Sequence, residues 1–198
     1  MEIRFDYYHF GPFLYKTKLT KEKIKDIVSI CEKEKGEECR DGLAGHLSKE
    51  YELPTVSVMK VLHPYFASYC KALYELRGQK FKKNLIMTKS WVNYMSKGEF
   101  NPPHTHSNNG KVCDLSCVLY LDVPKDLLTD WDYVPKSSPP GSIVFSYGEY
   151  QEKNINFFNF IPEIGDLYIF PGWLIHYVFP FTSKGTRISL SANLVEEQ

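Results

Sequence analysis

Short runs of β-favouring residues after Leu85 limit the fold of this chain more than any other feature of its sequence. Each run is bounded by glycine, proline, asparagine or aspartate, which is the pattern of antiparallel strands joined by turns. The runs are 85–95, 114–122, 142–147, 166–170, 176–180 and 187–195. Many short strands with tight turns predict a sandwich or jelly roll whose mouth can enclose a small ligand.

The first part of the chain follows a helical period instead. Thr20 can cap a helix whose apolar residues between Ile24 and Cys31 share one face. A second run from Val58 to Leu73 has the same period and stops at Gly78, while Pro64 inside it should kink or restart the helix. These helices are expected to pack outside one sheet.

Length and composition predict one domain over residues 1–198, with 43% hydrophobic residues to form a core. We expect two or three supporting α-helices over about 1–82 and a mainly β core, a double-stranded β-helix (jelly roll), over about 83–198.

The 24 basic residues equal the 24 acidic ones, so no overall field favours nucleic acid or an anionic membrane. Without a membrane-length apolar run or a signal-peptide pattern, the chain is expected to be cytoplasmic.

Two of the six histidines stand two residues apart, in the sequence Asn101-Pro-Pro-His104-Thr-His106. In an extended segment, alternation puts both side chains on one face, about 7 Å apart along the chain. They can therefore converge on one metal ion. An isolated His-x-His is more often a solvated surface loop, so the hypothesis needs a third residue.

His176 supplies that third residue, because a Pro171-Gly172 turn between two predicted strands would carry it back across the sheet. Nitrogen and oxygen ligands on one face of an ion, with open positions opposite, are what oxygen-activating Fe(II) requires. Arg187 follows on an apolar strand, where a cation needs a partner. Its planar guanidinium suits either an internal acid or the carboxylate of a bound dicarboxylic acid.

Taken in order, these motifs resemble the 2-oxoglutarate, Fe(II)-dependent oxygenase superfamily. The motifs are Trp91-Val-Asn-Tyr94, His104-x-His106, Leu119-Tyr120-Leu, Gly165-Asp166, His176 and Arg187-x-Ser189. They span roughly residues 85–195 and look closest to the prolyl-hydroxylase-like branch, especially the small oxygenases of cyanobacterial phages. A phage-encoded protein would act in the host cytoplasm.

The resemblance implies that His104 and His176 bind Fe(II). It implies O2 as a further co-substrate and ascorbate as a further candidate cofactor. The residues that it implies for the 2-oxoglutarate (2OG) site are Arg187, Tyr120, Ser189 and Tyr94. Trp91 is expected to be a core residue.

The middle metal ligand is open, because the superfamily usually has His-x-Asp or His-x-Glu where this chain has His106. His106 itself can complete a three-histidine face. Alternatively, Asp114 ligates, since it opens a strand on which Ser116, Val118 and Tyr120 alternate towards the predicted co-substrate face. If neither ligates, an open position could admit a halide, or the domain is a weak metal binder.

Three functions follow from these observations. The first is an oxygenase that hydroxylates an aliphatic C–H bond, either in a prolyl or other side chain of a peptide or protein or in a small molecule. The second is a cupin-like three-histidine dioxygenase without 2OG, and the third is a non-catalytic jelly-roll binding or structural module. An insertion over 122–147, which holds Trp131, is long enough for a lid.

Overall fold

The computed structural model describes residues 11–108, 111–127 and 138–197. The helices are α1 (Lys21–Lys33) and α2 (Thr55–Leu76), with a 3-10 turn at Arg40–Gly42. The strands are β1 (Tyr15–Lys18), β2 (Lys49–Glu52), β3 (Asn84–Met95), β4 (Asn101–His104), β5 (Ser107–Asn108), β6 (Lys111–Val112), β7 (Leu115–Asp122), β8 (Ile143–Ser146), β9 (Phe157–Phe160), β10 (Asp166–Pro171), β11 (Ile175–Val178) and β12 (Arg187–Glu197). In the described ranges, no helix is long and apolar enough to span a membrane.

Two antiparallel sheets make up the core of the fold. The major sheet has the strand order β1-β10-β7-β12-β3-β2, and the minor sheet has the order β4-β11-β8-β9. A layer of buried aromatic and aliphatic side chains from both sheets, including Tyr120, Tyr168, Ile143 and Phe145, fills part of the space between them. This arrangement confirms the predicted mainly β jelly roll with supporting helices.

Helix α1 begins where the sequence predicts, α2 begins at Thr55, three residues before the predicted run, and both helices cover the outer face of the major sheet. The Thr20 side chain accepts a hydrogen bond from the Lys23 backbone N–H, which caps α1. Helix α2 runs through Pro64 without a break, and Phe66 from this helix packs in one buried cluster with Leu119 and Leu190 of the sheet. Burial of the apolar helix face is what stabilises both layers.

The first part of the chain also supplies strands that helical periodicity did not predict. Strands β1 and β2 pair with β10 and β3 and form the two edges of the major sheet. Strands β4 and β9 were also not predicted, because β4 contains Pro102 and Pro103 and the Phe157–Phe160 run is short. Residues 128–137, at the centre of the predicted lid, lie outside the described residues.

Candidate metal and co-substrate site

A cavity of about 250 Å³ lies between the major and minor sheets. Its walls combine polar residues of β3 and β12 with the histidines of β4 and β11 and with apolar side chains of β8 and β10. The two sheets therefore place His104, His106, His176, Tyr120, Arg187 and Ser189 around one cavity.

Three histidines converge in the wall of this cavity. His104 on β4 and His176 on β11 are directly opposite in an antiparallel pair, so their side chains lie on one face. His106 follows two residues later, and its Nε2 lies 3.1 Å from the Nε2 of His176. One ligand atom from each of the three histidines lies within 4.8 Å of the other two, so the three side chains could hold a metal ion.

Backbone carbonyls fix the orientation of two of these rings. The Nδ1 of His104 lies 2.7 Å from the Pro102 carbonyl oxygen, and the Nδ1 of His176 lies 2.9 Å from that of Leu174. Because a carbonyl can only accept, each Nδ1–H donates, and each Nε2 keeps its lone pair. This is the arrangement in which metal-binding histidines are usually held.

The same burial keeps the three rings neutral. Burial and the neighbouring His104 lower the pKa of His176 to about 3. Burial and the adjacent histidines also lower the pKa of His106 well below its usual range, and burial lowers the pKa of His104. Neutral imidazoles have lone pairs available for a metal near pH 7.

Arg187 lies in the same cavity with its charge almost completely buried, at 2% exposure. One of its nitrogens donates to the Gly141 carbonyl oxygen at 2.9 Å, while its Nε has no hydrogen-bond partner among the described residues. Within the same ranges, no carboxylate lies within ion-pair distance of the guanidinium. Burial lowers the pKa of Arg187, yet a guanidinium remains charged in proteins.

Tyr120 and Ser189 stand beside this guanidinium. The Arg187 guanidinium carbon lies 5.4 Å from the centre of the Tyr120 ring, a cation–π contact. The Tyr120 hydroxyl is buried and has no partner among the described residues, and burial raises its pKa to about 12. Ser189 is opposite Tyr120 in the pairing of β12 with β7, and both line the cavity. This corner has a cation and two hydroxyls to offer an anion.

The structure places Tyr94 and Trp91 differently from the sequence-based expectation. Tyr94 does not line the cavity, because it lies on the helix-covered face of β3 and packs edge to face against Tyr51. Trp91, which was expected in the core, lines the cavity instead, with its ring centre 5.7 Å from that of His106. Alternation along β3 puts the odd-numbered residues Lys89, Trp91 and Asn93 on the cavity side.

Asp114, the alternative middle ligand, lies away from the histidines. Its carboxylate accepts a hydrogen bond from the Glu196 backbone N–H at 2.7 Å, and it is not part of the three-histidine group. Of the two candidates, His106 is the one whose ligand atom is in place.

Several residues that line the cavity were given no role from the sequence, among them Glu50, Lys89, Asn93 and Asn101. Glu50 stands in the charged run Lys-Glu-Tyr-Glu, which is typical of a solvated segment, so its burial could not be foreseen. Asn93 lies inside the Trp91-Val-Asn-Tyr94 motif, and this motif is the sequence signal that could have indicated its place at the cavity.

Comparisons with known proteins agree with this geometry. The family model 2OG-FeII_Oxy_5, which describes 2OG-Fe(II) oxygenases, matches residues 89–193. No curated protein matches the chain.

Several solved structures share the fold at low sequence identity. An oxidoreductase of the 2OG-Fe(II) oxygenase family from Burkholderia pseudomallei is 12% identical, with a TM-score of 0.60 over 92% of this chain and 85% of that chain. The viral collagen prolyl hydroxylase of Paramecium bursaria Chlorella virus-1 is 12% identical, with a TM-score of 0.56 over 95% and 98%. A Trichoplax adhaerens prolyl hydroxylase is 12% identical, with a TM-score of 0.57 over 94% and 84%.

The matched segment begins at Lys89 on β3 and ends at Asn193 on β12, so it contains all three histidines and Arg187. It spans more than half of the chain. The protein is therefore a member of the 2OG-Fe(II) oxygenase family, a 2-oxoglutarate-dependent dioxygenase that uses Fe(II) and O2.

Proposed function

We propose that this oxygenase hydroxylates an aliphatic C–H bond, with Fe(II) bound by His104, His106 and His176 and with 2OG anchored by Arg187. One O2 and one 2OG would be consumed for each substrate, giving the hydroxylated product, succinate and CO2. The substrate would be a prolyl or other side chain of a peptide or protein, or a small molecule. The observation that carries the proposal is the buried Arg187, which lacks an acidic partner in the described residues and shares a cavity with three neutral histidines.

The donor set of the three histidines fits Fe(II). Imidazole nitrogen suits iron, and a site with three protein ligands leaves positions for co-substrate and O2. Because three neutral imidazoles bring no negative charge, a bound Fe(II) would keep its full charge and favour an anionic chelating ligand. Bound Fe(II) supplies the redox chemistry that couples decarboxylation of 2OG to oxidation of the C–H bond.

The corner around Arg187 fits the distal carboxylate of 2OG. A guanidinium can donate two parallel hydrogen bonds to a carboxylate, and the Nε–H of Arg187 is free to be one of them among the described partners. The unpaired Tyr120 hydroxyl and Ser189 can donate to the same group. Binding there would neutralise a buried cation and satisfy a buried hydroxyl, and both effects favour the complex.

Apolar side chains keep this part of the cavity dry. Ile143, Val178 and Phe170 line it and are almost fully buried. In a water-excluded site, the attraction between Arg187 and a carboxylate is stronger than in solvent. The same side chains would shield a reactive intermediate from water.

The cupin-like alternative accounts for three histidines but gives no role to Arg187 and Tyr120, so the observations favour the 2OG-dependent reaction. The single-domain boundaries, the phage origin, the cytoplasmic location and the use of ascorbate stay predictions.

Two measurements test the assignment. Anaerobic Fe(II) binding should be lost in His106→Ala and kept in Asp114→Asn, which changes the other candidate ligand. Wild-type protein supplied with Fe(II), O2 and 2OG should bind 2OG and form succinate. If iron binds but neither succinate formation nor 2OG binding is detected, the 2OG-dependent function is rejected.

A further inference from the structure

The end of the cavity beside β2 and β3 has hydrogen-bond acceptors without a donor among the described residues. Glu50 lines this end with 1% exposure, and its Oε2 has no partner among the described residues. The Oδ1 atoms of Asn93 and Asn101 line the same cavity, are buried and equally have no partner among the described residues, and that of Asn101 lies next to Gly45. Each such oxygen costs free energy on burial, and an ionised carboxylate costs most.

The pairing of the strands brings Glu50 and Asn93 together. They are directly opposite in the antiparallel pair of β2 and β3, so their side chains project on the same face. The Asn93 amide nitrogen donates to the Ser189 carbonyl oxygen and to the Ser191 hydroxyl. These bonds fix the amide and leave its oxygen as a second acceptor beside the carboxylate.

No basic side chain of the described residues forms an ion pair with Glu50: burial raises the pKa of its carboxyl, and the charge of Lys89 offsets this only in part. No lysine or arginine nitrogen lies within 4.0 Å of its carboxylate in those ranges. Lys89 also lines this end, but its ammonium lies 5.7 Å from the centre of the Trp91 ring, near the backbone of Gly42. Lys89 is therefore at the rim and not on the carboxylate.

The co-substrate cannot satisfy this end. Ionised 2OG has only acceptors, and its negative charge would be repelled by Glu50. Glu50 also stands on the edge strand β2, two strands away from β12 and so roughly 10 Å from the strand of Arg187 at the usual spacing, and Asn93 stands on β3 between them. A ligand that supplies the missing donors is therefore a molecule other than 2OG.

We propose that Glu50, Asn93 and Asn101 form a substrate subsite that binds a cationic nitrogen group with several N–H donors, an ammonium or guanidinium, of the molecule to be oxidised. This inference rests on the proposed function, because it names the substrate class of the same cavity. A planar guanidinium or a tetrahedral ammonium can donate to three oxygens at once while its charge balances the carboxylate. The loop over Gly42–Gly45 lines the same end and is partly exposed, so the group can enter from solvent there.

The test compares two probes that differ in charge and hardly in shape, n-butylguanidinium and n-butylurea. Ligand-observed NMR titration at pH 8, with 2OG present, gives the affinity of each probe for the wild-type protein. We expect n-butylguanidinium to bind about tenfold more tightly than n-butylurea, a difference typical of one charge-assisted contact. Equal affinities would overturn the proposal and mean that water or a proton satisfies Glu50.

Three variants sharpen the comparison. Glu50→Gln should lower n-butylguanidinium affinity about tenfold and n-butylurea affinity little. Glu52→Gln, which removes an exposed carboxylate from the same strand, should change neither. Asn101→Asp, which adds a charge at constant shape, should tighten n-butylguanidinium binding and so tests the subsite even if Glu50→Gln does not fold.

The affinity for 2OG separates the two proposals. It should be the same in Glu50→Gln as in wild type, because Arg187 holds the co-substrate. A Glu50→Gln protein that binds 2OG normally and n-butylguanidinium as tightly as wild type would overturn the subsite alone. A wild-type protein that prefers n-butylguanidinium but does not bind 2OG would support the subsite and overturn the proposed function.

Discussion

The helix-covered face of the major sheet and its cavity face are both buried, but they differ in polarity. Under the helices, buried Leu119, Leu190 and Leu194 pack against apolar side chains of α2. On the cavity face, the same strands bury Arg187, Ser189 and Tyr120. Burying polar groups costs free energy unless they find partners, so the first face serves stability and the second serves binding.

The cavity face itself contains both satisfied and unsatisfied polar groups. The Ser116 hydroxyl lies 3.0 Å from the Asn193 side-chain oxygen and donates to it, so this pair is part of the structure. Arg187 Nε, the Tyr120 hydroxyl and Glu50 Oε2 have no such partner among the described residues. The unsatisfied groups, and not polarity alone, mark the places where a ligand is expected to contribute.

The largest effect on stability is expected from a substitution that disrupts the packing on the helix-covered face. Phe66→Ala removes a fully buried ring and should lower the free energy of unfolding by about 3–5 kcal/mol. Urea denaturation measures this change. At a temperature where the variant is folded, its 2OG affinity should equal that of wild type, and a fall in affinity would contradict the separation of the two faces.

The next largest effect is expected at the cation of the cavity face. Arg187→Gln should weaken 2OG binding about 100-fold, roughly 2.7 kcal/mol, because a bidentate charge-assisted contact is lost. Its free energy of unfolding without ligand should change by less than about 1 kcal/mol, since removing a buried, unpaired charge offsets loss of the hydrogen bond to Gly141. Anaerobic calorimetry with Fe(II) present measures the affinity, and Arg77→Gln, at an exposed arginine, is the control. An unchanged 2OG affinity would remove Arg187 from the site.

A pH-dependent effect is expected at Glu50. Burial raises the pKa of Glu50 from 4.5 to about 7. A raised pKa means that the folded protein holds the proton more tightly, so this contribution to stability is complete below pH 4.5 and is lost as the pH rises through about 7. Glu50→Gln should therefore raise the free energy of unfolding by roughly 3 kcal/mol at pH 8 and by almost nothing at pH 4.

Chemical denaturation at the two pH values, with Glu52→Gln as the matched control for loss of a carboxylate, tests the Glu50 prediction. A stabilisation of equal size at both pH values would show that ionised Glu50 does not destabilise the ligand-free protein.

The smallest effect is expected at Tyr120. Tyr120→Phe removes a buried hydroxyl without a partner in the described residues and should leave stability unchanged or slightly raised. It should weaken 2OG binding by about 3- to 10-fold, since one hydrogen bond to the carboxylate is lost. If stability falls by more than about 1 kcal/mol, the hydroxyl has a structural partner and the comparison fails at this residue.

The sequence predicted the elements of the fold better than the faces of its strands. The longer strands and both helices have clear periods, and Thr20 is a recognisable cap. In β3, almost every residue from Ser90 to Met95 is buried, either under the helices or at the cavity. Alternation alone therefore could not tell whether Trp91 or Tyr94 faces the cavity. That choice depends on which side the helices cover, which is a tertiary property.

The site was predictable to the extent that its residues stand out by type. The three histidines and Arg187 are unusual in their local sequence, and the structure brings them to one cavity. Glu50 is not unusual in its charged segment. Its place at the cavity follows from the pairing of β2 with β3, opposite Asn93, which is a tertiary contact. Asp114 has the right residue type and strand, but its side chain caps the Glu196 backbone at some distance from the histidines.

The most direct test of the account is an anaerobic titration of the protein with Fe(II) and 2OG, followed by the weak visible charge-transfer band of the chelate. The account predicts a band that requires both additions in wild-type protein. In Arg187→Gln the band should appear only at much higher 2OG concentration. Absence of the band in wild-type protein that demonstrably holds iron would contradict the central claim that these histidines and Arg187 form one 2OG-Fe(II) site.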